Sequence, residues 1–178
     1  MKWVTRDHVN MDRVACPWLI KRFVDSDAEF TFVPFGTDTP PPEDAIPFAL
    51  PGAELGPHDD EGSTFRKILR KYEIKDPALD MLAGIIDSGI VHVFSQIDHG
   101  YTDVAALEYP EGIGLDAFSQ GMMYISASDT ANIETAMTIY DALYAFCRAK
   151  LLEAERPDIV ALPFPQRWDA IREALRAG

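Results

Sequence analysis

The sequence predicts an α+β fold that is predominantly helical, with about five helices and a small sheet built from the amino-terminal third. Apolar residues recur with helical spacing over most of the last two thirds of the chain, whereas the alternation typical of strands occurs only near the amino terminus. Of the 178 residues, 47% are hydrophobic, which is enough for one substantial core. We therefore expect a single domain over residues 1–178.

Strands are predicted at residues 2–5 and 30–35, where β-branched and aromatic side chains are frequent, and a further short strand at residues 46–49. The helix between the first two strands is expected to begin just after Cys16. Pro17 lacks an amide hydrogen and therefore fits the first helical turn. This start would place Cys16 at a helix amino terminus.

The remaining helices have recognisable boundary residues. Ser63 and Asp76 are predicted N-caps, and Pro77 fits the first turn that follows Asp76. Gly89 is predicted to end the helix that begins after Asp76, in the left-handed conformation. Further helices are expected at residues 115–125, 129–152 and 168–175.

The net charge of the chain is −13, from 16 Lys and Arg against 29 Asp and Glu. An acidic chain repels phosphate backbones, so DNA and RNA are not expected as partners. No stretch reaches the roughly 18 to 20 apolar residues of a membrane span, and the amino terminus lacks the apolar core of a signal peptide. We therefore expect a cytoplasmic protein without a membrane partner. Cys16 and Cys147 lie far apart in apolar surroundings and are expected to be unbonded thiols.

Between Asp76 and Cys147 the chain has no Lys or Arg, although many Asp and Glu residues fall there, and most of the cations precede this span. Like charges at this density repel one another unless something offsets them. The acids are expected to point into water, to pair with the basic first third, or to hold a cation.

Two loop residues and two residues of the cation-free span have side chains that bind transition metals: His58, Asp60, Asp98 and His99. Imidazole and carboxylate groups of this kind hold Fe, Mn or Zn. The prediction is a metal site in which His58 lies within ligand range of a carboxylate from residues 76–141. No recognised zinc spacing is present, and the acids that follow His58 also suit the positive end of the next helix. His92, among apolar neighbours, is expected to be a half-buried, hydrogen-bonded histidine.

A second candidate set, for anion binding or a structural pair, lies near the amino terminus: Arg6, Asp12, Arg13 and Cys16. Guanidinium groups and helix amino termini both bind tetraoxyanions. Arg13 would either brace the Asp12 carboxylate or face an anion, and the net negative charge favours the structural role. Cys16 would be either a thiolate stabilised by a helix amino terminus or a small core residue, and its apolar neighbours favour the core.

These residues carry a resemblance to a known family. The segments at residues 3–6, 12–20, 30–34, 46–48 and 141–145, together with His58, resemble the chromate-resistance protein B family, and residues 5–20 are the most specific part. The resemblance covers residues 3 to about 148. It implies a role in chromate and related stress, with metal binding and superoxide removal, but it does not supply an active site.

The sequence leads to two main function hypotheses, with a plain structural or interaction domain as a third. The first is a chromate- or metal-stress resistance protein that binds a transition metal through His58 and carboxylates and has a redox or detoxifying activity. The alternative is a non-catalytic oxyanion or metal sensor, or accessory module, that uses Arg6 and Arg13. Both expect a small inorganic ion as the partner. The sequence leaves open whether the chain is an enzyme and whether it forms a homo-oligomer.

Overall fold

The computed structural model describes residues 1–177. The strands are β1 (Lys2–Arg6), β2 (Glu29–Val33) and β3 (Ile46–Pro47). The helices are α1 (Asp12–Leu19), α2 (Thr64–Lys71), α3 (Pro77–His99), α4 (Glu111–Ile125), α5 (Asp129–Glu155), α6 (Pro157–Val160) and α7 (Gln166–Ala177). The predicted class, mostly helical α+β with a small amino-terminal sheet, is confirmed, with seven α-helices in the described residues rather than about five.

The three strands form a parallel sheet in the order β2, β1, β3. Trp3 and Val4 of the central strand are fully buried, which explains why this short apolar segment forms a strand. The helix α1 connects β1 to β2, as a parallel pair requires a crossover. Because the strands are parallel, Arg6 at the end of β1 and Val33 at the end of β2 lie side by side at one edge.

The first helix begins earlier than predicted. It starts at Asp12, so Pro17 lies inside it and Cys16 is not at its amino terminus. A proline in this position removes one helical hydrogen bond. The helix nevertheless forms because one side buries Val14, Ala15 and other apolar side chains in the core. Residues after α1 continue as a π-helical turn, Ile20–Val24.

The third helix is longer than predicted, because Gly89 does not end it. The helix α3 runs to His99 and ends at Gly100, whose φ of 71° is the left-handed conformation expected of a helix cap. Gly89 lies in the middle of α3, where a Cβ atom would come within 2.9 Å of the Gly112 carbonyl oxygen on α4. Gly89 therefore permits close packing of α3 against α4. The local sequence signals of a helix end do not reveal this role.

The predicted N-caps are confirmed. Ser63 Oγ accepts a hydrogen bond from the Arg66 amide at 3.4 Å, and Asp76 Oδ1 accepts one from the Ala78 amide at 2.8 Å. These are local contacts within three residues, so the sequence alone specifies them.

Acids of the cation-free span pair with the basic first third, as one of the alternatives predicted. Arg22 donates two hydrogen bonds to Asp141, at 2.9 and 2.7 Å, and Arg66 forms an ion pair with Asp87. Trp18 Nε1 also donates to Asp141, at 2.8 Å. These contacts join α1 and α2 to α5 and α3 around the core.

Among the described residues, α3 is long and apolar enough to cross a membrane by length and composition. Of its most apolar 18-residue window, 56% is buried within the fold. Core helices meet the same two criteria, so one such helix is weak support for a membrane location.

Candidate functional site

A cleft of about 420 Å³ opens between the carboxyl end of β1 and the second half of α3. It brings together residues from the loop after β2, the start of α1, the loop before α2 and α3. The lining includes Arg6, Arg13, Phe35, His58, Ile90, Val93, Phe94 and Ile97. Clefts of this size, mostly apolar with a few polar groups, are typical of small-molecule sites.

Two guanidinium groups meet over one aromatic ring in this cleft. The Cζ atoms of Arg6 and Arg13 lie 4.9 and 5.7 Å from the centroid of the Phe35 ring. Arg13 Nη2 donates a hydrogen bond to the His8 carbonyl oxygen at 3.1 Å. The Arg6 Nε atom is buried and has no hydrogen-bond partner within residues 1–177. The ring thus holds two cationic groups close together.

The two arginines lack direct carboxylate partners. No ion pair in the described part of the chain includes Arg6 or Arg13. Burial lowers the pKa of Arg13, and the nearby charge of Arg6 lowers it further. The carboxylates of Asp129, Asp12 and Asp7 raise the pKa of Arg13 and so act in the opposite direction. Among the residues that line the cleft, the two arginines outnumber the one carboxylate, that of Asp12, although the net charge of the protein is −13.

His58 forms another part of the wall. Its ring stacks on Phe94, with a centroid distance of 6.3 Å and an interplanar angle of 29°. Its Nδ1 atom is buried and has no hydrogen-bond partner in residues 1–177. The loop that carries it is fixed by an ion pair between Asp59 and Lys67 at 2.6 Å. Within the described chain His58 forms no direct ion pair with a carboxylate of residues 76–141, and its place in a metal site stays a prediction.

Asp12 caps a helix rather than bracing Arg13. Its Oδ2 accepts a hydrogen bond from the Thr64 amide at 2.7 Å, and its Oδ1 accepts from the Phe65 amide at 3.0 Å and the Cys16 thiol at 3.3 Å. Burial raises the pKa of Asp12, while these donors favour the carboxylate. Among the described contacts, Asp12 has no hydrogen bond with Arg13, so the predicted structural pair does not form. Asp12 instead joins α1 to the start of α2.

Cys16 is a core residue, which was the favoured interpretation. It is fully buried in the middle of α1, and burial together with the adjacent Asp12 carboxylate raises its thiol pKa well above the usual value. The alternative of a thiolate stabilised by a helix amino terminus is therefore wrong. Cys147, also buried, has a pKa raised to about 11, mainly by burial. The two thiols are unbonded, as predicted.

Both thiols are expected to resist alkylation in the folded protein. At pH 8 the raised pKa values leave the thiolate, which is the nucleophile, scarcely populated. Iodoacetamide followed by intact mass measurement should show no addition over an hour in native buffer. The same experiment in denaturant, without reductant, should show two additions. Rapid addition to the native protein at either cysteine would contradict the buried positions.

The four predicted metal ligands do not form one group. Asp60 is exposed in the turn before α2, and Asp98 and His99 are exposed at the end of α3. Within residues 1–177, no group of three or more His, Cys, Asp or Glu side chains is arranged to hold a metal ion. Binding of Fe, Mn or Zn through His58 and these residues stays a prediction. Metal analysis of protein purified without a histidine tag would test it.

His92 is half-buried and hydrogen-bonded, as predicted. Its Nδ1 atom lies 2.6 Å from Thr102 Oγ1, and its Nε2 atom lies 3.8 Å from Oδ2 of Asp116 on α4. Asp116 is itself buried and accepts a hydrogen bond from Gln120 at 2.8 Å. His92 and Asp116 line a second cleft, which shares Val93 and Ile97 of α3 with the first. Sequence reasoning missed the contact because it depends on the packing of α3 against α4.

Sequence reasoning also missed the apolar wall of the first cleft. Ile90, Val93, Phe94 and Ile97 follow the i, i+3, i+4, i+7 spacing of one helix face. This spacing is present in the sequence, but a helix that ended at Gly89 would not include these four residues. Phe35 has no such signal, because its place over the arginines depends on the sheet.

The fold and the cleft define a class: a small, mostly helical α+β domain with an arginine-lined, partly apolar site of small-molecule size. Residues 3–147 match the family described as ChrB, C-terminal domain, and the chain belongs to this family. The resemblance to the chromate-resistance protein B family is thereby confirmed.

A curated relative extends this result. The chain is 32% identical over 144 residues to Protein ChrB of Cupriavidus metallidurans, and the match covers 80% of this chain and 40% of that protein. The chain therefore spans about two fifths of the length of this relative. No solved structure matches the chain.

Proposed function

We propose that this domain acts in resistance to chromate or related metal stress by binding an oxyanion in the cleft between Arg6 and Arg13. One observation carries the proposal: two guanidinium groups contact the ring of Phe35, and neither forms an ion pair with a carboxylate in the described chain. Membership of the ChrB C-terminal domain family supports the link to chromate. Binding without catalysis is sufficient for this role, so the proposal corresponds to a sensor or accessory module.

The electrostatics of the cleft suit a dianion. Two like charges held close together repel one another, and a bound anion between them removes that repulsion. Guanidinium groups present several N–H donors in a fixed plane, which matches the oxygens of tetrahedral anions such as chromate and sulfate. The unpartnered Nε of Arg6 is a donor of this kind.

Thermal unfolding at fixed ionic strength tests the proposal. Sulfate is a suitable first probe because, unlike chromate, it does not oxidise thiols, and chromate is then compared with it. At 100 times the Kd, a ligand of the folded state contributes about 2.7 kcal/mol. For a chain of this size that raises the melting temperature by roughly 5 to 11 °C. Arg13→Gln and Arg6→Gln should each abolish most of this rise.

The matched control is Arg172→Gln, which removes the same charge from an exposed arginine on α7. This variant should keep the full rise with sulfate. A wild-type melting temperature that does not respond to sulfate or chromate would contradict the proposal. Equal rises in melting temperature with sulfate for Arg13→Gln and Arg172→Gln would contradict it as well. The rise would then depend on the overall charge of the protein and not on the cleft.

A further inference from the structure

We infer that the cleft takes an organic oxyanion, in which an anionic head such as a sulfonate, phosphate or carboxylate is attached to an apolar, preferably aromatic, body. This inference rests on the proposed function, because it assigns the anionic head to the same two arginines. It adds the class of ligand.

The cleft is larger than an inorganic oxyanion needs. Its volume is about 420 Å³, within the roughly 300 to 1,000 Å³ of pockets that hold drug-sized ligands. A tetraoxyanion displaces only a few times the roughly 30 Å³ of one water molecule. An ion held by Arg6 and Arg13 would therefore leave most of the cleft to solvent.

The part that such an ion would leave empty is apolar. The second half of α3 turns Ile90, Val93, Phe94 and Ile97 toward the cleft. Phe94 and Ile97 are 50% and 71% exposed, in contrast to the first half of α3, whose apolar side chains are buried in the core. Covering apolar surface of this kind is favourable, so an apolar group on the ligand would gain affinity here.

The two ends of the cleft differ in chemistry and fit a ligand with two different ends. The arginines and the 56% exposed Phe35 form the cationic end, while α3 forms the apolar end. The stacked rings of His58 and Phe94 lie along the apolar wall. Flat rings favour stacking with another aromatic group, which is why an aromatic body suits the wall better than an aliphatic chain.

The experiment uses anilinonaphthalene sulfonate, a fluorescent sulfonate on an aromatic body, as the probe. We expect saturable binding to the wild-type chain with one site, and competition by millimolar sulfate at fixed ionic strength. Ile97→Ser and Phe94→Ala should each weaken the probe about tenfold, as expected for the loss of one large apolar contact. Both variants should keep the wild-type rise in melting temperature with sulfate. Arg13→Gln should weaken the binding of both sulfate and the probe.

Phe164→Ser is the control, since Phe164 is an aromatic residue of comparable exposure outside the cleft. It should bind the probe as the wild type does. If sulfate raises the melting temperature but the probe neither competes with it nor responds to Ile97→Ser, the inference fails and the proposed function stands. If neither sulfate, chromate nor the probe binds, both fail. Probe binding that Phe164→Ser weakens as much as Ile97→Ser would also overturn the inference, because it would be non-specific.

Discussion

Replacing Asp12 with alanine is expected to lower the free energy of unfolding by about 3 kcal/mol. The carboxylate accepts hydrogen bonds from two backbone amides at the start of α2, Thr64 and Phe65, and Asp12 is only 8% exposed. Removing it leaves two buried donors without an acceptor, and each unsatisfied group costs about 1 to 3 kcal/mol. Alanine also removes a helix cap, a loss of the same order for one such residue.

Urea denaturation followed by circular dichroism measures this loss. Asp12→Asn should show an intermediate loss, because its single carbonyl oxygen can accept from one of the two amides while its NH₂ group opposes the other. Asp98→Ala is the control, since Asp98 is exposed at the end of α3 and its removal should change stability by less than about 0.5 kcal/mol. Similar unfolding midpoints for Asp12→Ala and Asp98→Ala would show that the cap has no energetic role.

The contrast between Ser63 and Asp12 shows what the sequence could predict. Ser63 caps its own helix through a contact three residues away, and its side chain identifies it directly. Asp12 caps the same helix from 52 residues away. Nothing in the local sequence distinguishes this role from an ion pair with the adjacent Arg13. The fold class and the starts of α2, α3 and α5 depend on local patterns of the first kind, and they were predicted.

The sequence analysis named some residues of the cleft but not the cleft itself. Arg6 and Arg13 are candidates because guanidinium groups bind anions, and the structure places both in one cleft with His58, which was predicted as a metal ligand. The apolar wall of the cleft could be predicted only with the correct length of α3. Gly89 has the residue type of a helix stop, but its position is determined by a partner on α4 that only the tertiary structure brings close. Tertiary packing therefore overrides the local preference of glycine at this position.

Replacing Gly112 with alanine is expected to destabilise the protein by about 3 kcal/mol, at the upper end of the range for overpacked cores. A Cβ atom at this position would lie 2.4 Å from the Gly89 amide nitrogen and 2.6 Å from the Ile85 carbonyl oxygen. Both are backbone atoms of α3, so no side chain can rotate away, and α3 and α4 must separate. Because the second half of α3 forms the apolar wall of the cleft, the same variant should also weaken the binding of the aromatic sulfonate probe.

Gly114 of the same helix provides the matched control, because no atom lies within 4 Å of the position that its Cβ would occupy. Alanine at this position has a higher helix propensity than glycine and reduces the conformational freedom of the unfolded chain. No steric cost opposes these two effects. Gly114→Ala should therefore stabilise the protein by about 0.4 to 1 kcal/mol. Urea midpoints of the two variants should move in opposite directions from the wild type. If both variants are stabilised, α3 and α4 are not in the close contact that the two glycines permit, and the second half of α3 would not be fixed at the cleft.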